Sequence, residues 1–221
     1  MRKLIVIIVL CLCSVFTKAQ DNYFYGAIKI PIADYIQYSL SKEGYDGSKM
    51  EGALFEIGYA INTDDYFVIE LGLQAFFYSP FNKRYYQSGN QNYDELDVAN
   101  KAFALQARPI LRFDLGNEFY FRTAVALNVE KLYSDATFKR NSTMAGLYQA
   151  SSRSSLNVSV QPLVGIEGWF GKSFGMGLDL VYINTNWSRS LQNLRFNTPF
   201  TVDVPRHRTS NMFLTGRIFF R

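Results

Sequence analysis

The chain has 221 residues, 48% of them hydrophobic, 16% aromatic and 19% charged, with a formal net charge of +4. A mean hydropathy of -0.08 excludes a polytopic helical membrane protein. The one long apolar run, Leu4 to Phe16, is shorter than the roughly 20 residues that a spanning helix needs.

That run is preceded by Arg2 and Lys3 and followed by Thr17-Lys18-Ala19, the pattern of a secretory signal peptide over residues 1–19 cut after Ala19. Residues 20–221 then form one domain. Cys11 and Cys13 leave with the signal, and neither follows the small residue that a lipoprotein signal requires. The mature domain is expected to hold together without disulfides. Loss of Arg2, Lys3 and Lys18 takes the net charge to +1, so nucleic acid is not an expected partner.

From there the chain alternates. Strands are expected at Tyr23 to Ile32, Leu54 to Ile61, Tyr66 to Ser79, Lys101 to Leu115, Phe119 to Lys131, Ser155 to Phe170, Phe174 to Asn184 and Asn211 to Phe220. They are long for a soluble protein and suit tilted spanning strands of about 9 to 11 residues. The connections alternate as well. Asn62 to Asp65, Gly116 to Glu118 and Gly171 to Ser173 are tight turns, whereas Ala33 to Lys49, Pro80 to Asn100, Leu132 to Ser154 and Thr185 to Ser210 are long. Short turns on one rim and long loops on the other define an all-β, eight-stranded, antiparallel up-and-down transmembrane β-barrel. An even strand number puts both termini on the short, periplasmic side of a Gram-negative outer membrane.

The two phases of the alternation differ in chemistry. One carries Phe67, Ile69, Leu71, Leu73, Ala75 and Phe77, then Phe103, Leu105, Ala107, Pro109, Leu111 and Phe113, and it continues through Val125, Leu127, Val129, Val158, Val160, Pro162, Val164 and Ile166 without a charge. This phase is expected to face lipid. Aromatic girdles are expected at the strand ends, with Tyr23, Phe24, Tyr59, Phe77, Tyr78, Phe119 to Phe121, Phe170, Tyr182, Phe219 and Phe220. Pro109 and Pro162 lack a donor within proposed strands, so a bulge is expected at each.

The other phase carries Lys29, Glu56, Glu70, Arg108, Arg112, Arg122, Glu130, Glu167, Asp179 and Arg217. An eight-stranded barrel is only wide enough for side chains to fill it, so these five bases and five acids are expected to pair as a plug. In detail, Glu70 is expected level with Arg108 or Arg112, Glu56 opposite or one step diagonal to Glu70, and Glu167 facing Asp179 with Arg217 on the neighbouring last strand as their partner. Two acidic pairs clasped by arginine leave no continuous water path.

Catalytic chemistry finds little to build on. His207 is the single histidine, and Ser210, three residues on, falls on the opposite strand face. A lipid hydrolase centred on His207 stays as the enzymatic alternative to a protein that is not an enzyme. No cofactor is implied, and a metal site lacks its ligands. Gly165, Gly168 and Gly171 read as close packing and a turn. The long loops carry aromatics, namely Tyr35, Tyr38, Tyr45, Tyr85, Tyr86, Tyr93, Tyr133, Phe138, Tyr148, Trp187, Phe196 and Phe200. These either form an extracellular surface for a protein partner or pack where strands extend beyond the membrane.

The segment Ala107-Arg108-Pro109-Ile110-Leu111-Arg112-Phe113, running into a tight turn and followed by Tyr120-Phe121-Arg122, resembles the small outer-membrane β-barrel domain family often called PorT-like. The resemblance implies an integral barrel of OmpA or OmpX type in outer-membrane lipid, and an accessory role in protein secretion. The chain departs from the usual barrel ending in that Phe220 is followed by Arg221.

Overall fold

A computed structural model describes residues 22–32, 51–63, 65–86, 93–140, 147–198, 202, 204 and 208–221. The expected signal peptide lies outside these residues. Eight strands form, namely β1 (Tyr23–Pro31), β2 (Glu51–Asn62), β3 (Phe67–Tyr86), β4 (Tyr93–Gly116), β5 (Phe119–Lys139), β6 (Leu147–Phe170), β7 (Phe174–Asn186) and β8 (Arg208–Phe220). Each pairs antiparallel with its sequence neighbour, and β1 pairs with β8 to close the barrel. A four-residue helix, α1 (Ser188–Leu191), follows β7.

Period-two alternation dictates the wall. Along β5, Ala124, Ala126, Asn128 and Glu130 are buried, while Val125, Leu127 and Val129 are exposed. The exposed set around the barrel is apolar: Leu105 is 63% exposed and Val158 74%, alongside Ile57, Leu73, Phe103, Ile166, Leu178 and Ile218. The polar residues are inside. This polarity is the reverse of a water-soluble barrel's, and it suits a hydrocarbon solvent, which requires closed strand pairing and an apolar exterior. From Phe119 to Val129 is ten residue steps, and with a tilt of about 40° the belt is roughly 25 Å tall, the thickness typical of outer-membrane barrels.

Aromatic pairs border the belt. At the short-turn rim Phe24 meets Tyr59, Phe119 meets Phe170, and Phe174 meets Phe170 and Phe220. At the other edge Phe103 packs against Phe77 and Tyr133, with the Lys131 ammonium over the Tyr133 ring. Three residues expected in the girdles instead point inwards: Tyr23 and Phe219 are fully buried, and Tyr120 packs against the core with the Arg112 guanidinium over its ring. The girdle position belongs to the opposite phase, so Phe24 and Phe220 take it.

Three other expectations are corrected. First, much of the expected loops is strand. β3 and β4 remain paired out to Tyr86 and Tyr93, and β5 and β6 out to Lys139 and Leu147. Above the belt the outward positions become charged, with Lys101 paired to Asp135 and Lys139 to Glu95 and Asp97, so alternation persists while the solvent changes.

Second, neither proline makes a bulge. Pro109 keeps its place opposite Ile69, and the β4–β5 register is the same on either side of it. Arg112 N–H donates to Tyr66 O, so alternation turns the Pro109 nitrogen towards β5, where only the pairings of residues 108 and 109 are missing. The register shifts lie elsewhere, between Tyr78 and Phe81 around Pro80, between Asp114 and Gly116 at the β4–β5 turn, and between Lys131 and Tyr133, where Ser154 Oγ accepts from Leu132 N–H.

Third, the lumen register differs from that expected, because β2 and β6 are each displaced along their neighbours. Glu56 stands opposite Gln74 and Glu70 opposite Ala60, while Glu167 stands opposite Gly177 and Asp179 opposite Gly165. Glu70 is level with Arg108.

Two of the tight turns are made by left-handed backbone. Gly116, Asn117 and Glu118 all have positive φ, as does Gly171. Trp169 N–H closes the rim by donating to Glu118 O at 3.1 Å.

Candidate functional site

The barrel interior is filled in three tiers. Its floor, at the short-turn rim, is aromatic. Tyr23 packs on Trp169 and Phe219 with ring centroids 5.2 and 5.5 Å apart, and the Arg221 guanidinium lies 4.0 Å from the Trp169 ring. The terminal arginine, which departs from the usual ending, thus covers the floor from outside.

All ten charged residues of the inward phase are at most 7% exposed. The middle tier holds nine of them in one connected network. Lys29 Nζ meets Glu56 at 2.7 Å, and Arg108 joins Glu56 to Glu70 with 2.7 Å contacts to each. Glu70 is also reached by Arg217 at 2.5 Å and by Arg122 at 3.4 Å. Arg122 continues to Glu167 at 2.8 Å and Asp179 at 3.2 Å, Arg112 reaches Glu167 at 3.3 Å, and Arg217 reaches Asp179 at 3.5 Å. The arrangement is therefore not two separate acidic pairs. Arg217 divides itself between Glu70 and Asp179, and Glu167 is held by Arg122 and Arg112. The physical reason is reach: a guanidinium has five donors in a planar fork, and in so narrow a lumen it contacts carboxylates from two walls.

Neutral groups complete the tier. Gln74 donates to Glu56 at 3.0 Å, Gln106 donates to Asn128 at 2.9 Å, Arg108 also donates to Gln106, and Tyr23 donates to Glu70 at 3.4 Å. The Tyr25 ring lies 4.6 Å beneath the Arg217 guanidinium and fits over the bare backbone of Gly58 and Gly72. Gly165 makes similar room for Asp179 and Gly168 for Phe119.

The upper tier is apolar and lies inside the extension of the strands beyond the belt. Phe76 touches Trp187 and Phe213, each with centroids 5.9 Å apart, and Leu54, Leu96, Leu132, Ile183 and Leu191 are buried around them. α1 is fixed by Ser190, whose hydroxyl is 2.6 Å from Ser134 Oγ and whose carbonyl accepts from Ser152 Oγ at 2.5 Å. Sequence did not foretell α1, but the cap agrees with the alternative in which the loop aromatics pack where strands extend beyond the membrane. The signal for it is the inward phase of the extensions, Leu96, Val98, Leu132, Ala136 and Phe138, which turns apolar where the lumen below is charged.

The aromatics expected on the loops divide accordingly. Trp187 and Phe138 are buried in the cap, Tyr148 and Phe196 pack against it, and Tyr133 belongs to the outer girdle. Tyr85, Tyr86 and Tyr93 lie in paired strand ends. Tyr35, Tyr38, Tyr45, Phe200, Asp203 and His207 lie outside the described residues. Among the described residues no cluster of metal-ligating side chains occurs.

Glu130 stands apart from the network. It is buried on β5 opposite Asn157, beside Ser159, and among the described residues no cation pairs with it.

No protein-family model matches the chain and no curated protein matches it, so the PorT-like resemblance gains no family match. Among solved structures the chain is similar to the crystal structure of Ail, the attachment invasion locus protein of Yersinia pestis. That match has 12% identity and a TM-score of 0.36, and it covers 90% of this chain and 95% of that one. A second similar structure is the same protein in complex with the heparin analogue sucrose octasulfate, at 10% identity and a TM-score of 0.38, with the same coverage.

Proposed function

We propose that the protein is an integral outer-membrane β-barrel of a Gram-negative envelope, with its termini and tight turns in the periplasm and its strand extensions outside. It acts as a structural or partner-binding element and neither conducts solutes nor catalyses a reaction. The observation that carries this reading is the filling of the lumen. Nine charged side chains cross-link the mid-barrel walls, an aromatic floor lies below them, and an apolar cap lies above. A pathway for solute would have to break several buried ion pairs at once, each costly to leave half-made. Function is then left to the rim, where paired strands stand well clear of the belt and present a rigid surface to a protein partner.

Planar-bilayer recording on the pure protein tests this reading. The expected outcome is no steady conductance of porin size, and reproducible large open channels would refute it. Cell fractionation is expected to place the protein in the outer membrane with heat-modifiable gel migration. Cross-linking in intact cells would identify the partner, and neighbours drawn from a secretion machinery would favour the accessory role implied by the PorT-like resemblance. Hydrolysis of a labelled outer-membrane lipid that is lost in His207→Ala would favour the enzymatic alternative.

A further inference from the structure

The barrel wall opens along one seam. β6 and β7 share a ladder only from Leu163↔Val181 down to Phe170↔Phe174. Both strands run on above it, and both stay paired along their other edges, β6 with β5 to Leu147 and β7 with β8 to Asn186. The split begins directly above Pro162. Trp169 N–H donates on the β5 side, so alternation turns the Pro162 nitrogen towards β7, where it has no proton to hold the seam. The opening starts within the apolar belt, because Val158 and Val160 stand opposite Val129 and Leu127, all of them outward and exposed.

Behind the opening is a polar cleft of about 320 Å³ lined by Glu130, Asn157, Ser159, Asn184, Asn186 and Arg189. Four lumen acids each meet a cation within 3.5 Å, whereas Glu130, 5% exposed, has no such partner among the described residues. A buried carboxylate and two strand edges without ladder partners are both expensive beside hydrocarbon. A ligand that lowers both costs must carry many hydrogen-bonding groups and must itself sit in the membrane. A phosphate fits poorly inside the cleft, because Glu130 repels it and Arg189, the cleft's one cation among the described residues, already donates to Asn157 Oδ1, so a sugar face enters and any phosphate stays outside. A carboxylate beside amides and a hydroxyl offers the paired acceptors and donors that grip neighbouring hydroxyls. The volume is at the low end of ligand pockets, enough for a headgroup and not for a whole lipid.

We infer that the β6–β7 cleft binds the sugar headgroup of an outer-leaflet glycolipid laterally, with the acyl chains left along Val158 and Val160. The inference rests on the outer-membrane reading above, since the cleft lies in the outer half of the belt only in that orientation.

The test uses the full chain purified in detergent and titrated separately with lipid A and with a phosphatidylethanolamine, bound lipid being read by native mass spectrometry. One lipid A is expected to be retained per barrel, at least tenfold more tightly than phosphatidylethanolamine. Glu130→Gln is expected to weaken that retention about tenfold, the scale of losing a hydrogen bond to a charged group, with heat-modifiable migration unchanged. Ser159→Ala serves as the second variant and should weaken retention in the same direction. Equal retention of the two lipids, or undiminished lipid A binding in both variants, would overturn the inference. Effective competition by the free glucosamine disaccharide would overturn the lipid source. Fractionation to the outer membrane is read independently, so a protein found there that fails these tests loses the cleft and keeps the general reading.

Discussion

Replacing Glu70 by Gln removes one charge from the centre of the lumen while keeping the side chain's shape. Glu70 receives Arg108 at 2.7 Å, Arg217 at 2.5 Å and Arg122 at 3.4 Å, all fully buried. Removing one partner of a buried pair costs about 3 to 5 kcal/mol because the other charge is left uncompensated. Here none of the three arginines is orphaned, since Arg108 keeps Glu56, Arg122 keeps Glu167 and Asp179, and Arg217 keeps Asp179. The loss should therefore fall at the lower end, about 3 kcal/mol, or more than a hundredfold in the folding equilibrium. Urea unfolding of the barrel in lipid vesicles, followed by tryptophan fluorescence and by gel migration, measures it. Glu70→Gln combined with Arg217→Met removes a cation along with the acid and should recover part of the loss, a coupling of 0.5 kcal/mol or more for groups in contact. Glu130→Gln, which breaks no ion pair among the described residues, should cost far less than Glu70→Gln. A Glu70→Gln barrel within 1 kcal/mol of wild type, or a variant pair with no coupling, would refute the view that this network holds the lumen.

The glycine slot for Tyr25 predicts an asymmetry. A methyl at Gly72 meets first the Tyr25 hydroxyl at 2.6 Å, whereas one at Gly58 meets the Leu71 carbonyl oxygen as well as the Tyr25 ring. Both Gly72→Ala and Gly58→Ala should cost about 1 to 3 kcal/mol by overpacking, but only the former should be relieved in a Tyr25→Phe background, read by urea unfolding. Trp187→Ala should cost about 3 to 5 kcal/mol of local stability and loosen α1. Limited proteolysis should then cut the β7–β8 connection faster while the belt stays protected. Above the belt, the Ser151 hydroxyl and then Lys101 hold the Asp135 carboxyl below its ordinary value of 3.8, and Glu95 and Asp97 raise the Lys139 ammonium above 10.5. A depressed acid gives stability that is present above its unfolded value and lost as pH falls through the folded one. A raised base gives stability that is present below its unfolded value and lost as pH rises. Amide exchange at the tip of β5, corrected for intrinsic rates, should therefore be slowest between about pH 5 and 10 and quicken outside that window before the belt opens. A flat profile would remove these pairs from the account.

Alternation was legible because it is local. Whether Leu105 faces lipid and Gln106 the lumen is decided by the pleat alone, whatever the neighbouring strand does, and so the inward set of ten charged residues could be chosen without knowing any pairing. Partner choice within that set is not local. It depends on how far each strand is displaced along its neighbours, and a slip of two residues preserves every facing while moving Glu167 from opposite Asp179 to opposite Gly177. For the same reason the strand bounds drawn from sequence stop short of the extensions. Lys101, Asp135 and Lys139 replace the outward apolar residues at the edge of the belt, and the sequence signal for a lipid-facing strand stops there although the ladder continues.

Proline shows the same limit from the other side. A missing N–H has opposite consequences according to the edge it faces, and only pairing reveals that edge. At Pro109 the strands close again at once on the same register, because Ile110↔Ala124 follows directly. At Pro162 the chain above has other engagements. β6 is bound to β5, β7 is bound to β8, and α1 docks through Ser190 onto Ser134 and Ser152 of β5 and β6. With each strand held along its other edge, the seam stays open once its first donor is missing, and its two lips are left to find other partners. Polar residues, Asn157 and Ser159 on β6 and Asn184 and Asn186 on β7, therefore stand along both lips of the seam, where a missing proton and not a missing strand ended the ladder.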